Sequence, residues 1–463
     1  MLSKIIAFAL ATVGFIPSEF QDVLNVKSGP QDATVFSLVY GLPLVQYVIF
    51  GNSIADKAGE WKTNSFLHET TLANASYHTI VLPNVDTLYS EALIDLSSNN
   101  VIATVPPMTP GRFYVLPFYD TYGNNFCNIG TVNTSIAGRY LVQHRPARPG
   151  CVMSPAGGQY AGTIYMPTAY GAALLRIEVM NATDVDYIVG SIQPGFTLTS
   201  ERSIPRAPPL TKQILNDGLS TNFPEYVMQL TARLSLFNPP EVANDVPPVT
   251  ASLRLAGASR GSYTTPYGVD LDGAYASAQA EISKVKNTSF ISYGNGWAAI
   301  RPDLAGDFKS HYSVRAFVAA NGYMELTATE ALYPIYEVNQ THYGNESYVV
   351  AFHGKPPVDG FWSLTIYDAA GYLVPNPLNR YSLNDRDNIT YPDGTSLLTT
   401  PADSEKMFYL LLQSVDSPPS QKRMSNWLPT PGDGGTFNFL LRFYGPKNAI
   451  INGEYKFPEV KRA

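Results

Sequence analysis

A mainly β fold with α insertions (α+β), built as two β-sandwich-like domains joined by a helical segment, is what the 463-residue sequence predicts, and three observations carry it. Its 36 Pro and 35 Gly cut the apolar material into short runs of strand length. Its bulky residues are mainly Tyr (30) and Phe (22), types that fit a pleated, half-buried surface. The third is an internal echo. Residues 113–123 can be laid without gaps on residues 361–371, each an aromatic strand ending in Tyr-Asp-x-x-Gly and each following a Pro-Pro pair, Pro106-Pro107 or Pro356-Pro357. In both copies the aspartate, Asp120 or Asp368, is expected to accept backbone hydrogen bonds in a turn.

In chain order, residues 1–18 read as a signal peptide: Lys4 precedes an apolar run, 5–16, of the right length for a leader and too short to span a bilayer. No later stretch is expected to reach spanning length, so the sequence predicts a secreted protein without a stable membrane span. Residues 19–205 form the first β domain, with strand runs at 79–82, 112–118, 140–143 and 172–179. Residues 206–290 form the helical connection, where 210–216 and 224–237 carry apolar residues at three- and four-residue spacing and 271–286 is rich in helix formers. Residues 291–463 form the second β domain, with runs at 347–352, 362–367, 407–412 and 437–444. No Gly/Ser-rich or charge-rich linker separates the halves, which predicts a packed seam with a site at it.

Charge and composition narrow the function classes. With 31 Lys+Arg against 38 Asp+Glu the net charge is −7, and no basic block stands out, which excludes a nucleic-acid partner and a polybasic membrane-surface role. At 15% charged and 45% hydrophobic residues the chain has ample material for packed cores. Seven N-glycosylation acceptors, Asn74, Asn133, Asn181, Asn287, Asn339, Asn345 and Asn388, fit a eukaryotic secretory route. The two cysteines, Cys127 and Cys151, either pair in that oxidising compartment or remain two buried thiols.

Several motifs carry a resemblance. The run 40–45, then 83–90, then 111–114 leading to Tyr119-Asp120 and Ile129-Gly130, resembles the family called domain of unknown function 1254. The second half, through Pro356-Pro357, 360–365, Tyr367-Asp368, Asn376, 380–382, 426–429 and 442–446, resembles its usual companion, domain of unknown function 1214. The resemblance covers most of the chain between about Tyr40 and Pro458. It implies paired β-sandwich-like domains with helical material between them, often behind a signal peptide, and a place beside fungal secondary-metabolite pathways. It supplies no established catalytic residue.

Candidate site residues come from the shared motifs. Asp86, Tyr89, Tyr119 and Asp120 are the catalytic candidates, as acids, bases or hydrogen-bond donors at a pocket rim. The competing reading makes Asn84, Asp86 and Asp120 turn formers. Trp362, Arg380, Trp427 and Arg442 are the substrate-binding candidates, an aromatic-walled cleft whose guanidinium groups clamp a carboxylate; the alternative is aromatic core with stacked Arg. The six histidines, His68, His78, His144, His311, His342 and His353, show no metal-ligand spacing, so neither metal nor cofactor is expected. The string Gly257-Ala258-Ser259-Arg260-Gly261 matches a nucleophile elbow but opens no helix, and Asp270 to Gly273 reads as a helix cap. These features predict a secreted, cofactor-independent enzyme of isomerase, cyclase or hydrolase type acting on a small-molecule substrate. The alternatives are a secreted carbohydrate- or metabolite-binding β-sandwich and a cell-surface interaction protein.

Overall fold

The computed structural model describes residues 29–76, 82–146, 148–155, 157–336, 342–432 and 434–463. The expected leader at 1–18, most of the run 79–82, His78 and the acceptor Asn339 lie outside the described residues. The chain is 27% helix and 30% strand, which makes the fold mixed α+β with two sheet-built domains.

The first domain is a sandwich of two five-stranded sheets. One runs in spatial order Leu67–His68, Thr87–Asp95, Tyr170–Glu178, Tyr114–Asp120, Asn125–Gly130; the other runs Thr197–Arg202, Asn99–Val105, Gly138–His144, Gly162–Met166, Gly150–Met153. Strand periodicity of two decides which side chains fill the space between them. Leu88, Leu116, Phe118, Leu175 and Ile177 point inward and pack on Val101, Tyr140, Val142 and Ile164 of the facing sheet. The alternate residues of the first sheet face the other way. All nine residues of the central strand Tyr170–Glu178 are buried, because its outer face is covered as well, by helices at one end and by the second domain at the other.

Cys127 and Cys151 are disulfide-bonded, with their Cα atoms 5.4 Å apart, and tie the edge strand Asn125–Gly130 of one sheet to the edge strand Gly150–Met153 of the other. Closing a 24-residue separation restricts the unfolded chain by about 3 kcal/mol. The double variant C127S/C151S is therefore expected to lose about 3 kcal/mol in urea unfolding. An unchanged midpoint would show that the two edges are held without the bond.

The second domain places a sheet built around Thr436–Tyr444 and Trp362–Asp368 against a four-stranded sheet ordered Trp427–Thr430, Phe408–Ser414, Tyr348–Phe352, Glu459–Arg462. Trp362, Leu364 and Ile366 face its core, where Trp362 packs on Phe352 at 5.0 Å. The two copies of the echo meet: Phe113 and Phe361 pack edge to face at 5.6 Å. Their turns match too. Asp120 Oδ1 accepts from the backbone N–H groups of Tyr122 and Asn124, and Asp368 Oδ1 accepts from those of Ala370 and Tyr372.

The helical layer draws on more of the chain than the 206–290 segment. Its axis is the helix Pro30–Ala58, and around it pack Phe223–Leu234, Val246–Leu255 and Leu271–Ser283, together with Tyr312–Gly322 from within the second domain's span. The sequence reading missed this use of the Pro30–Ala58 helix. By length and mean hydropathy (1.7) it could cross a membrane, contrary to the expectation that no later stretch reaches that length. Yet 67% of its most apolar window is buried inside the protein, among them Tyr40, Tyr47 and Pro43, so neighbouring helices supply the apolar surroundings. The packing is close: a Cβ at Gly41 would stand 1.7 Å from Thr231 Oγ1, so only glycine fits.

Candidate functional site

The outward residues of the first sandwich and of the strands Trp362–Asp368 and Thr436–Tyr444 meet at a seam between the domains. Alternation puts Thr87, Tyr89, Tyr119, Arg176 and Glu178 on one side of it and Phe361, Thr365, Tyr367, Arg442 and Tyr444 on the other. Phe361 and Tyr444 stack at 4.3 Å, and Phe113 lies 5.4 Å from Tyr444, giving the seam an aromatic floor.

Arg386, from the loop after the strand Ser382–Asn384, crosses the seam. Its Nη2 pairs with Asp86 Oδ1 at 2.9 Å and its Nη1 with Glu178 Oε1 at 2.8 Å, while the guanidinium lies 4.3 Å over the Phe361 ring. Asp86 Oδ1 also accepts from Asn384 Nδ2 at 3.2 Å, and Glu178 Oε2 accepts from the Phe113 N–H at 3.0 Å. Burial raises the Glu178 carboxyl and Arg386 opposes the rise. Beside them burial pushes Asp385 up to about 7, against the pull of Arg386. Asn84 forms the local turn, accepting from the N–H groups of Asp86 (2.5 Å) and Thr87 (3.1 Å), and its amide donates to the Tyr444 hydroxyl.

A second cationic centre lies further along. Arg176 donates to the Tyr333 hydroxyl (3.0 Å) and the Met324 carbonyl (2.9 Å), and its guanidinium lies 5.6 Å from the Tyr89 ring centre. Tyr119 donates to the same Met324 carbonyl at 2.8 Å. The adjoining Glu325 accepts from the Gly306 N–H at 3.1 Å; burial pushes it up to about 7, with that N–H and Arg176 pulling it back. Burial raises Tyr333 to about 12 and Tyr444 further, so these tyrosines stay protonated donors at neutral pH. Tyr89, Glu325 and Tyr333 keep partial solvent exposure, whereas Tyr119 and Tyr444 have none. Next to Tyr89 opens a cleft of about 240 Å³, lined by Asn84, Thr87, Tyr89, Thr71, Glu69 and Glu91, whose two carboxylates are held by Lys57. Among the described residues, no group of three or more His, Cys, Asp and Glu is placed to hold a metal ion.

Of the eight residues taken from the sequence, the seam gathers Asp86, Tyr89, Tyr119 and Arg442. Asp86 is an ion-pair partner rather than a turn former. Arg442 is in place but not free to clamp a substrate, since it donates to Thr365 Oγ1 (2.8 Å), Tyr367 Oη (2.6 Å) and the Leu82 carbonyl (3.0 Å). The other four are elsewhere. Asp120 is fully buried and its side-chain hydrogen bonds stay inside its own turn, Asn124 Nδ2 included, while the Arg315 charge opposes the rise that burial imposes on its carboxyl. Trp362 is core; Trp427 is buried and donates its indole N–H to the Gln413 carbonyl; Arg380 caps the Met424 and Trp427 carbonyls. These three are held within the second domain by packing and by hydrogen bonds to backbone carbonyls. The sequence reading missed Arg176, Glu178, Glu325, Tyr333 and Arg386. A signal existed for the first two: an Arg and a Glu two apart inside the apolar run 172–179 mark a polar stripe on one face of a buried strand. None marks Glu325 or Tyr333, which come from irregular chain.

Comparison with known proteins agrees with this architecture. Residues 63–200 match the family model described as protein of unknown function (DUF1254), and residues 330–448 match protein of unknown function (DUF1214). No curated protein matches the sequence. The crystal structure of a Vibrio parahaemolyticus protein is similar at a TM-score of 0.65 and 19% identity, over 94% of this chain and 100% of that one, a likeness of fold alone. An uncharacterised Burkholderia cenocepacia protein gives a TM-score of 0.44 at 11% identity, over 91% of this chain and 87% of that one. The chain therefore belongs to the proteins that carry the DUF1254 and DUF1214 domains in tandem.

Proposed function

We propose that the protein is a secreted glycoprotein enzyme that acts on a small metabolite at the seam through side chains alone, as an isomerase, cyclase or hydrolase, within a fungal secondary-metabolite pathway. The catalytic part rests on Glu325, a partly exposed carboxyl that accepts from the Gly306 N–H at 3.1 Å next to Met324, whose carbonyl binds Arg176, and that burial pushes up to about 7. Near neutral pH such a group exists in both forms and can take a proton in one step and return it in the next. Tyr333 and Arg176 supply a hydroxyl donor and a fixed positive charge for an oxyanion that develops on the substrate. Tyr89, shared between the cleft and Arg176, is the point at which a ligand reaches this centre. The secretory part rests on the cystine and on the acceptors: Asn74, Asn133, Asn181, Asn287, Asn345 and Asn388 are all exposed, as glycan attachment requires.

The test is to incubate the purified protein with metabolite extracts of its producing organism and follow depletion by mass spectrometry. The wild type is expected to consume one compound, and Glu325→Gln to slow that by about 10²-fold or more, with circular dichroism unchanged. Binding of a compound without turnover, or full turnover by the Gln variant, overturns the assignment. Peptide mass spectrometry of the secreted protein reads the glycans directly.

A further inference from the structure

The stretch from Thr121 to Ile177 contains no Asp or Glu, in a chain whose overall charge is −7. Within it stand Arg139, Arg145 and Arg148, all exposed, together with the buried Arg176 of the seam. The three exposed arginines lie on or beside the strands Gly138–His144, Gly162–Met166 and Gly150–Met153, at the outer face of the first domain's second sheet. The alternation that sends Tyr140, Val142 and Ile164 into the core turns Arg139 and Tyr165 outward.

Two of the guanidinium groups are stacked on tyrosines. Arg145 lies 4.9 Å from the Tyr165 ring centre and Arg139 lies 5.6 Å from that of Tyr160. Gly150 sits opposite Tyr165 in the sheet register and puts no side chain beside it. The result is an open cleft of about 490 Å³ lined by Arg145, Arg148, Gly150, Cys151 and Tyr165. Among the described residues none of the three arginines pairs with a carboxylate, although Lys57, Arg112, Arg301 and Arg386 all do. A guanidinium held over a ring still has N–H groups to offer a planar, two-oxygen anion.

Arg139 lies on the strand Gly138–His144 and Arg145 follows its last residue, so an extended backbone of six residues separates their Cα atoms by about 20 Å. A single small anion cannot touch both. We infer that this face binds an extended acidic polysaccharide, its carboxylates forked by Arg145 and Arg148 at one end and by Arg139 at the other. The site is distinct from the seam and does not depend on its chemistry. Three cations are too few for the backbone of a nucleic acid, whose binding rests on many phosphate contacts.

Affinity electrophoresis of the full secreted protein tests this, with polygalacturonate, sulfated heparin or neutral dextran cast into native gels. Polygalacturonate is expected to retard the wild type, weakly at high salt, and dextran is not. The double variant R145A/R148A changes only exposed side chains and is expected to lose about tenfold in affinity. Arg139→Ala is expected to weaken binding of the polymer while leaving that of a digalacturonate unchanged. Equal retardation by dextran, retardation by heparin alone, or an unaltered double variant each overturns the assignment.

Discussion

Replacing Arg386 with alanine lowers the unfolding free energy by about 3–5 kcal/mol, the cost of leaving buried carboxylates without their cation. Asp86 is 2% exposed and Glu178 is 4% exposed, and each has Arg386 as its only ion-pair partner among the described residues. Their remaining hydrogen-bond partners, the Asn384 amide, the Ser382 hydroxyl and the Phe113 N–H, are neutral and cannot balance two negative charges. The effect is therefore one of unpaired charge rather than of lost packing, and a second variant separates the two. Adding D86N and E178Q to R386M removes the two most closely paired carboxylates along with the cation, leaving Asp385 at 3.5 Å from the former guanidinium position, and is expected to restore most of the stability. Urea unfolding of the three proteins decides it. A triple variant as unstable as R386A would mean that the guanidinium acts through its stacking on Phe361.

Stability is expected to fall by roughly 4 kcal/mol between about pH 6.5 and 8.5. Burial raises Glu325, Glu330 and Asp385 to about 7, and raises Glu241 well above the usual carboxylate range, with Asp307 beside it adding to the rise. A carboxyl whose folded pKa lies above its unfolded one holds a proton that the unfolded chain has released. Its contribution is complete below the unfolded pKa and is lost as pH rises through the folded one. Burial lowers His68, His144 and His342, which drives the trend the opposite way below about pH 6.5 and leaves the carboxyls alone above it. Thermal unfolding across that range, with Glu241→Gln as the variant that flattens the curve, checks it. A midpoint that rises with pH would contradict these assignments.

The parts of the fold that were readable from the sequence are those set by short-range rules. Proline and glycine punctuation, aromatic strand runs and the repeated Asp-bearing turn all correspond to elements in the structure, the turn down to matching backbone acceptors. The Pro30–Ala58 helix was not readable as a core helix, because only its partners reveal that its apolar surface faces protein. The site divides in the same way. Tyr89 and Tyr119 sit on strands whose period-two pattern assigns them a face, so their meeting follows from alternation, whereas Asp86 lies in the turn just before its strand and reaches the seam through the contacts made there. Trp362, Trp427 and Arg380 misled because an aromatic residue or an arginine in a strand looks alike whether it lines a cleft or closes a core. Arg386 pairs across 300 positions with Asp86, a proximity no local pattern encodes.

The seam draws its polar atoms in near-equal parts from both ends of the chain. A truncated gene encoding either half would produce a protein with a bare ionic socket, two acids without their cation or the cation without its acids. Natural variation can therefore reshape this site only by keeping the tandem whole. Swapping halves between relatives would succeed only where donor and recipient share the same Arg386 to Asp86 and Glu178 fit.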